Sequence, residues 1–351
     1  MTVNIEPAAA AATASPVSGG GIVAETRRPR RLSPAELFGL RPLGPTLRQA
    51  WLVFRGDRHL PKSRFDLTSL GIATPRLSIA TWLGRRAAGR RVPLLNLFNH
   101  TQSPPEEGWS VRVTRVSDFR GRALTYDSHN GTDFVVPPGT PILAAAPGRV
   151  VARRQEWNRG GVKLYVDHGG GLLTTYNHLG RTLVRPGDAV ARGQPVALSA
   201  YSGADGLLMF PWVAPHLHFN VILAGALVDP FARPGEASLW REENAPRPWT
   251  GGAEPAPPEP TRLEPGRVAD LLDAVRDPAR RERLAAIDDP ERRAFEVLIE
   301  ATTYPTRFAV AEPGRRLFDD GAGERRPWLD LPFAAADFDG AAFCDDLGLR
   351  R

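Results

Sequence analysis

The stretch Pro215-His216-Leu217-His218-Phe219 carries the main structural signal of this chain. The two histidines are separated by one residue, and the apolar residues that continue to Leu223 favour a β-strand. Side chains at positions i and i+2 of a strand point to the same face of the sheet, so both imidazoles would face one point. The sequence therefore predicts a strand that presents a pair of histidines to a site.

A second polar motif, His129-Asn130-Gly131-Thr132-Asp133, lies upstream. Gly131 and the run Phe134-Val135-Val136-Pro137 oppose a helix, so the motif is predicted at a bend where a strand begins. A histidine and an aspartate four residues apart are common by chance. Their occurrence together with the histidine pair gives the donor set of a catalytic zinc site with an open position.

Three other histidines receive a structural interpretation. His59 and His100 lie in the N-terminal region without a partner that the sequence reveals, and they are predicted to be surface or packed side chains. His168 ends a predicted strand before three glycines, so it is predicted to serve a turn.

The composition is that of a globular protein of two or three domains, with 351 residues and 42% hydrophobic content. The lone cysteine, Cys344, excludes an intramolecular disulfide and a thiolate zinc cluster. Residues 24–104 contain 15 basic and 4 acidic residues, whereas residues 236–351 have a net charge of −7. This asymmetry predicts either contact of the basic region with an anionic surface, attraction between the two regions, or two ordinary solvated surfaces.

The distribution of apolar patterns and turn residues along the sequence divides the chain into five segments. Short β-rich runs with frequent turn signals occupy the middle of the chain, and helical patterns flank them. The predicted fold is a mostly β catalytic domain, an antiparallel sheet or barrel-like structure, with α-helical N- and C-terminal extensions. The segments are a disordered leader (1–32), a helical N-terminal region (33–105), the β domain (106–235), a proline-rich linker (236–266) and a small helical C-terminal region (267–351).

Helix starts are indicated at three places. Ser33 precedes Pro34 and Glu36 in the pattern of a capping box. Asp277-Pro278 and Asp289-Pro290 each place an acidic cap before a proline in the first turn.

Several functional classes find no support in the sequence. The arginine-rich cluster at residues 85–91 lacks interleaved aromatic residues and any nucleic-acid motif, so no nucleic acid is expected as a partner. Residues 1–26 contain no Lys or Arg and no apolar core of the kind that a secretion signal needs. No apolar run is long enough for a transmembrane helix. A His-Glu-x-x-His motif is also absent.

The segment from about His129 to Phe231 resembles the lysostaphin/LytM-type zinc metallopeptidases (family-23 metallopeptidases). These proteins have a His-x-x-x-Asp motif, a Tyr-x-His-Leu motif and a final His-x-His-Phe. The chain has His129-Asn-Gly-Thr-Asp133, then Tyr176-Asn177-His178-Leu179, then His216-Leu217-His218-Phe219, in this order and over less than a third of its length.

The resemblance implies roles for five residues. It implies that His129, Asp133 and His218 bind Zn²⁺, and that His178 and His216 are the catalytic histidines without a metal bond. Zinc with three protein ligands keeps an open position, lowers the pKa of a water and polarises the scissile carbonyl. His216 would take the proton of the water, and His178 would hydrogen-bond the oxyanion. Family members cut peptide bonds in bacterial peptidoglycan, in cross-links or stem peptides.

The chain departs from the family pattern before the final motif. A loop of small residues is usual there, whereas this chain has an apolar segment, residues 207–214. The segment is predicted either to gate the cleft or to pack against the N-terminal helical region. Substrate identity therefore stays open.

Three functions remain open from the sequence. The first is a zinc metalloendopeptidase that acts on peptidoglycan or on another peptide. The second is a non-catalytic relative that regulates a hydrolase, although such relatives typically lose zinc ligands. The third is a β-rich binding module that uses its histidines for another purpose. The family predicts a periplasmic or cell-envelope location, although no signal peptide is visible.

Overall fold

A β-sheet of 11 strands forms the centre of the part of the chain that the computed structural model describes, residues 31–256, 258–319 and 322–349. Apart from residues 31 and 32, the predicted disordered leader (1–32) lies outside the described residues. The strands are β1 (Arg91–Leu94), β2 (Thr132–Val135), β3 (Pro141–Leu143), β4 (Gly148–Glu156), β5 (Gly161–Asp167), β6 (Leu172–Thr182), β7 (Ala189–Val190), β8 (Pro195–Ser199), β9 (His216–Leu223), β10 (Ala226–Val228) and β11 (Gly340–Phe343).

The main strand order is β11-β1-β2-β9-β6-β5-β4-β7. Neighbouring strands pair antiparallel except β1 and β11, which are parallel. The predicted mostly β, antiparallel domain with helical extensions is thus confirmed, with one parallel edge added. All eight residues of β9 are buried, because other parts of the chain cover both faces of this central strand.

Seven α-helices in the described residues surround the sheet, and most of them lie in the two extensions. Ser33 forms the predicted capping box with Glu36. Asp277 and Asp289 accept hydrogen bonds from backbone N–H groups in the first turns of their helices, as predicted. The helices are α1 (Pro34–Leu37), α2 (Leu43–Arg55), α3 (Pro75–Trp82), α4 (Ala204–Leu208), α5 (Pro265–Asp273), α6 (Pro278–Ala285) and α7 (Pro290–Thr303).

The segment 111–116 alternates apolar and polar residues, which is typical of a strand, but it forms no strand. Two of its backbone N–H groups donate hydrogen bonds to side chains instead of to a neighbouring strand. The N–H of Val113 donates to the Thr68 hydroxyl, and the N–H of Thr114 donates to the Asp127 carboxylate. Because side-chain acceptors satisfy these donors, the segment needs no strand neighbour.

The main core joins residues from distant parts of the chain. Phe134 of β2 packs edge-on against Phe219 of β9, against Trp240 and against Phe333. Trp240 falls in the predicted linker, and Phe333 falls in the predicted C-terminal region, yet both are buried in the core of the β domain. The division into five segments stays a prediction. The structure adds that residues 328–343 contribute to the main core rather than to the helices.

The helices of the C-terminal region form a second core on the sheet. Val297 and Leu298 of α7 are buried together with Leu173 of β6 and Ile222 of β9. None of the described helices is both long and apolar enough to cross a membrane.

We expect the Phe333→Ala substitution to lower the free energy of unfolding by about 3–5 kcal/mol, because it removes a fully buried ring from the core. Chemical denaturation followed by tryptophan fluorescence measures this loss. Leu183→Ala, at a side chain that is 39% exposed, is the matched control and should cost far less. Equal losses in the two variants would mean that residues 328–343 do not stabilise the β domain.

Candidate metal and catalytic site

The pairing of β2 with β9 builds the first part of the site. Asp133 lies directly opposite His218 in the antiparallel register. Asp133 Oδ1 is 2.7 Å from His218 Nδ1 and 3.1 Å from His129 Nε2, and the two nitrogens are 3.2 Å apart. These three donor atoms lie close enough together to hold one metal ion. The turn before β2 brings His129 to this point, as the sequence predicts.

The hydrogen bonds of the three side chains fit a cation. His129 Nδ1 lies 2.6 Å from the carbonyl oxygen of Leu97, which can only accept, so Nδ1 carries the proton and Nε2 presents a lone pair. This lone pair faces the carboxylate oxygen of Asp133, and two acceptors at 3.1 Å repel unless a positive charge lies between them. A tetrahedral zinc with ligand bonds of about 2.0–2.2 Å accepts such a triangle.

Neighbouring groups fix the ligand side chains. Asn96 donates to Asp133 Oδ2 at 2.7 Å, which leaves Oδ1 directed at the histidines. The amide of Asn220 lies 3.0 Å from His218 Nε2. A Cβ atom at Gly131 would lie 2.9 Å from His218 Nε2, so the turn approaches the site this closely only with glycine.

Electrostatics keep the carboxylate ionised. Burial alone would raise the pKa of Asp133, but the positive charge that His129 and His216 carry when they are protonated attracts the carboxylate and lowers its pKa well below the usual range. Burial lowers the pKa of His218, and the Asp133 carboxylate opposes part of this shift. The pair thus offers an anionic oxygen and a neutral nitrogen, the forms that metal binding requires.

His178 reaches the site through a β-bulge. Leu164 pairs with Tyr176 and Val162 pairs with Leu179, so Asn177 and His178 together stand opposite one residue of β5. His178 adopts a φ of 58°, a conformation that is uncommon without glycine. The bulge turns His178 toward the same cavity as Asn177, which regular alternation would not allow.

The two histidines outside the metal triangle face each other. The ring centroids of His178 and His216 are 5.0 Å apart, and His216 Nε2 is 3.6 Å from Asp133 Oδ1. His216 Nδ1 lies 2.7 Å from the Ala214 carbonyl, and His178 Nδ1 lies 2.8 Å from the Ser202 carbonyl. Both Nδ1 atoms therefore carry protons when the rings are neutral, and both Nε2 atoms are free to accept one.

The charge state of His178 follows from its surroundings. Burial first, and then the neighbouring rings of His216 and His218, lower the pKa of His178 well below its usual range. His178 is therefore neutral near pH 7, with an Nε2 that accepts a hydrogen bond. It can donate to an oxyanion only after it has taken up a proton.

One cavity contains most of these groups. Asp133, His178, His216 and His218 line it, whereas His129 is buried behind them. Both extensions also border the cavity, through Val53 and Phe65 in the N-terminal region and through Thr302 and Thr303 at the end of α7. Segments outside residues 106–235 thus form part of the cavity wall.

The apolar segment 207–214 contacts both the cavity and the N-terminal region. The N–H of Thr74 donates to the Trp212 carbonyl, and the Ser78 hydroxyl donates to the Val213 carbonyl. Met209 and Val213 also line the cavity. The segment is therefore packed on the helical region and also forms part of the cavity wall, whereas a gating role stays a prediction.

The remaining histidines lie outside the site. His168 bonds the Pro147 carbonyl and the Thr174 hydroxyl, and burial lowers its pKa to about 4. This agrees with the predicted turn histidine. His100 lies 2.9 Å from a carboxylate oxygen of the buried Asp229, a partner that the sequence does not reveal. His59 accepts a hydrogen bond at its carbonyl from Thr306.

Sequence reasoning missed several polar neighbours of the site. Tyr126 packs on His129 with ring centroids 4.7 Å apart, and Tyr201 packs on His216 at 4.8 Å. Asn96 gave one available signal, because it is a polar residue inside an apolar run around a strand. The tyrosines gave none, since their closeness to the histidines depends on the fold.

Comparison with known proteins assigns the domain. The sequence profile of Peptidase family M23 matches residues 127–230. Over 101 residues the chain is 38% identical to the peptidoglycan DD-endopeptidase ShyA of Vibrio cholerae, which covers 29% of this chain and 22% of ShyA. It is 36% identical over 123 residues to the murein hydrolase activator EnvC of Escherichia coli, which covers 35% of this chain and 27% of EnvC.

Residues 127–230 thus form a domain that matches peptidase family M23. The matched part spans only about a fifth of the length of the curated DD-endopeptidases ShyA and ShyB of Vibrio cholerae. A crystal structure of a zinc-containing peptidase from Vibrio cholerae aligns with a TM-score of 0.30 and 29% identity, over 41% of this chain and 39% of that one. The catalytic domain of lysostaphin from Staphylococcus simulans aligns with a TM-score of 0.24 and 31% identity, over 27% and 68%.

We expect Asp133→Ala and His218→Ala to lose a bound metal ion, because each removes one of three ligand atoms. His216→Ala should retain the ion, because its ring lies outside the triangle. Metal content per protein after dialysis, measured by inductively coupled plasma mass spectrometry, tests this. His168→Ala, a buried histidine away from the site, is the control for folding. Metal loss in His216→Ala would contradict the assignment.

Proposed function

We propose that the protein is a zinc-dependent metalloendopeptidase that hydrolyses peptide bonds in peptidoglycan, in its cross-links or stem peptides. The observation that carries the proposal is one cavity with a His-Asp-His metal triangle beside two histidines whose Nε2 atoms are free. The relatives named as peptidoglycan DD-endopeptidases support the substrate class. The cofactor in this proposal is Zn²⁺, held by His129, Asp133 and His218.

Different groups in the site can perform different steps of amide hydrolysis. When bound, zinc supplies Lewis acidity, which lowers the pKa of a water and polarises the scissile carbonyl. His216 Nε2 takes a proton from the water, since its Nδ1 is held by the Ala214 carbonyl and its Nε2 faces the site. The carbonyl of Ala214 thereby fixes the tautomer that a general base needs.

His178 acts in two stages in this proposal. Its neutral ring presents an acceptor, so it cannot hydrogen-bond an oxyanion until it is protonated. The proton that His216 takes from the water can pass to His178, since the two ring centroids are 5.0 Å apart, and the negative charge that develops on the carbonyl oxygen favours this transfer. The Tyr201 hydroxyl offers a second donor in the same cavity, because burial raises the pKa of Tyr201 well above its usual range and keeps its proton in place.

A second function, regulation of a hydrolase without catalysis, is favoured by the likeness to the murein hydrolase activator EnvC. The five polar side chains of the site argue against it, because a module that only binds a partner needs neither the metal triangle nor the free Nε2 atoms. A peptidase for a peptide outside the cell wall is a further alternative. It would use the same chemistry on another substrate.

Digestion of purified peptidoglycan sacculi tests the proposed function. We expect the wild-type protein to release fragments with new peptide termini, and we expect a zinc chelator to abolish this release. Mass spectrometry of the fragments identifies the bond. His216→Ala should keep its metal and lose turnover by about 10²–10⁴-fold, the usual contribution of a general base.

Two results would count against the proposal. Cleavage by His216→Ala at the wild-type rate would remove His216 from the reaction. Intact sacculi with a zinc-loaded protein would favour the regulatory module or a different peptide.

We further propose that the N-terminal region contacts an anionic lipid surface through helix α2. Its apolar side chains Leu43, Leu47, Trp51 and Phe54 recur at helical spacing and are 57–61% exposed. The helix contains no acidic residue. The nearby arginines Arg41, Arg48, Arg55 and Arg58 are exposed and form no ion pair with the described residues. An apolar stripe with a basic border is typical of helices that lie in a lipid interface.

Sedimentation with lipid vesicles tests this contact. We expect binding to vesicles that contain phosphatidylglycerol, weaker binding in high salt, and little binding to pure phosphatidylcholine. The double substitution Leu47→Ser/Trp51→Ser should weaken binding by about tenfold or more, because two apolar side chains no longer enter the lipid. Leu183→Ser, at an exposed leucine of the β domain, is the control. Equal binding to both vesicle types would contradict the proposed charge complementarity.

A further inference from the structure

The cavity holds charged side chains that the proposed chemistry does not use. Besides Asp133, the charged residues in its lining are Arg159, Lys163 and Asp205. Lys163 is satisfied, since its ammonium group lies 2.6 Å from a carboxylate oxygen of Glu156. Arg159 and Asp205 differ from it, because neither forms an ion pair with any described residue.

The backbone places Arg159 beside the catalytic histidines. Gly160, the next residue, accepts the hydrogen bond from the His178 N–H at 2.7 Å. The loop after Tyr201 packs against the same turn, because the Ala204 N–H donates to the Trp157 carbonyl at 2.7 Å. The turn that carries Arg159 is therefore held to the backbone that carries His178.

The guanidinium of Arg159 has a defined orientation. Its central carbon lies 5.3 Å from the ring centroid of Trp109, which also lines the cavity. Its Nη1 atom donates to the Asn158 carbonyl at 3.1 Å. A guanidinium has five N–H donors in a planar fork, so most of its donors have no acceptor among the described residues.

The surroundings make this charge costly. Arg159 is partly buried, and burial lowers its pKa. No described carboxylate forms an ion pair with Arg159, although Asp205 and Glu156 attract it from a greater distance, so an anion that enters the cavity can bind its free donors. The fork of a guanidinium matches the two oxygens of a carboxylate.

We propose that Arg159 forms a carboxylate-binding subsite of the cavity, which selects peptide substrates with a free carboxylate near the scissile bond. This inference rests on the proposed peptidase function and deepens it. Asp205 limits the choice of anion, because its own carboxylate lines the same cavity and attracts the guanidinium. A single carboxylate is therefore favoured over a dianionic group such as phosphate.

A purely structural role for Arg159 makes a different prediction. If the side chain only stacks on Trp109, its removal would lower stability and weaken all ligands alike. A subsite for a carboxylate would instead change the preference between two ligands that differ in that one group. The test therefore compares affinities within a matched pair.

The probe is a cross-linked muropeptide dimer with free stem carboxylates, compared with the same dimer after conversion of these carboxylates to amides. Binding is measured by isothermal titration calorimetry in the His216→Ala background, so turnover does not interfere. We expect the free acid to bind about tenfold or more tightly than the amide. Arg159→Gln should bring this ratio close to one, and Arg159→Lys should give an intermediate ratio, since lysine keeps the charge without the fork.

Arg153→Gln, which removes an exposed arginine of the neighbouring strand β4, is the matched control and should leave the ratio unchanged. Equal affinities of the parent protein for acid and amide, or no binding of either, would overturn the subsite. An unchanged ratio in Arg159→Gln would overturn it as well. Fragment release from sacculi judges the proposed hydrolysis separately, so failure of the subsite and failure of the peptidase function are distinguishable.

Discussion

The antiparallel pairing of β2 with β9 is the constraint on which the site depends. It sets Asp133 opposite His218, and the alternation of side chains along β9 then places His216 on the same face. A shift of β9 by one residue would turn His216 and His218 into the core and Phe219 toward the site. The aromatic packing behind the two strands therefore fixes the metal triangle in front of them.

A second constraint is the burial of imidazole rings next to backbone carbonyls. The carbonyls of Leu97, Ser202 and Ala214 each accept from the Nδ1 of one histidine. Each of these buried rings is satisfied at one nitrogen, and the other nitrogen faces Asp133 in His129 and the cavity in His178 and His216. The same arrangement leaves the Nε2 of His129 facing Asp133 and leaves the Nε2 atoms of the other two rings free to accept a proton. The groups around each imidazole, rather than the imidazole itself, therefore decide what its Nε2 atom can bind.

The sequence predicted the features that local patterns determine. The His-x-His strand, the bend before Asp133 and the caps at Ser33, Asp277 and Asp289 all depend on a few adjacent residues. Long-range features were not predictable in this way. The parallel strand β11, the carboxamide of Asn96 at the site and the turn that brings Arg159 to the cavity each join distant segments. The bulge at His178 depends on local and long-range features together. Its motif is local, but the orientation of the His178 side chain depends on pairing with β5.

The parallel pairing of β1 with β11 has a consequence for biosynthesis. Strand β1 neighbours β2, which carries Asp133, and its other edge pairs, among the residues that the structure describes, only with residues 340–343. A ribosome makes those residues long after the rest of the sheet, so the nascent domain carries an open strand edge while the C-terminal region is still being translated. Protection of this edge from mispairing during that interval is a task for the cell's folding machinery.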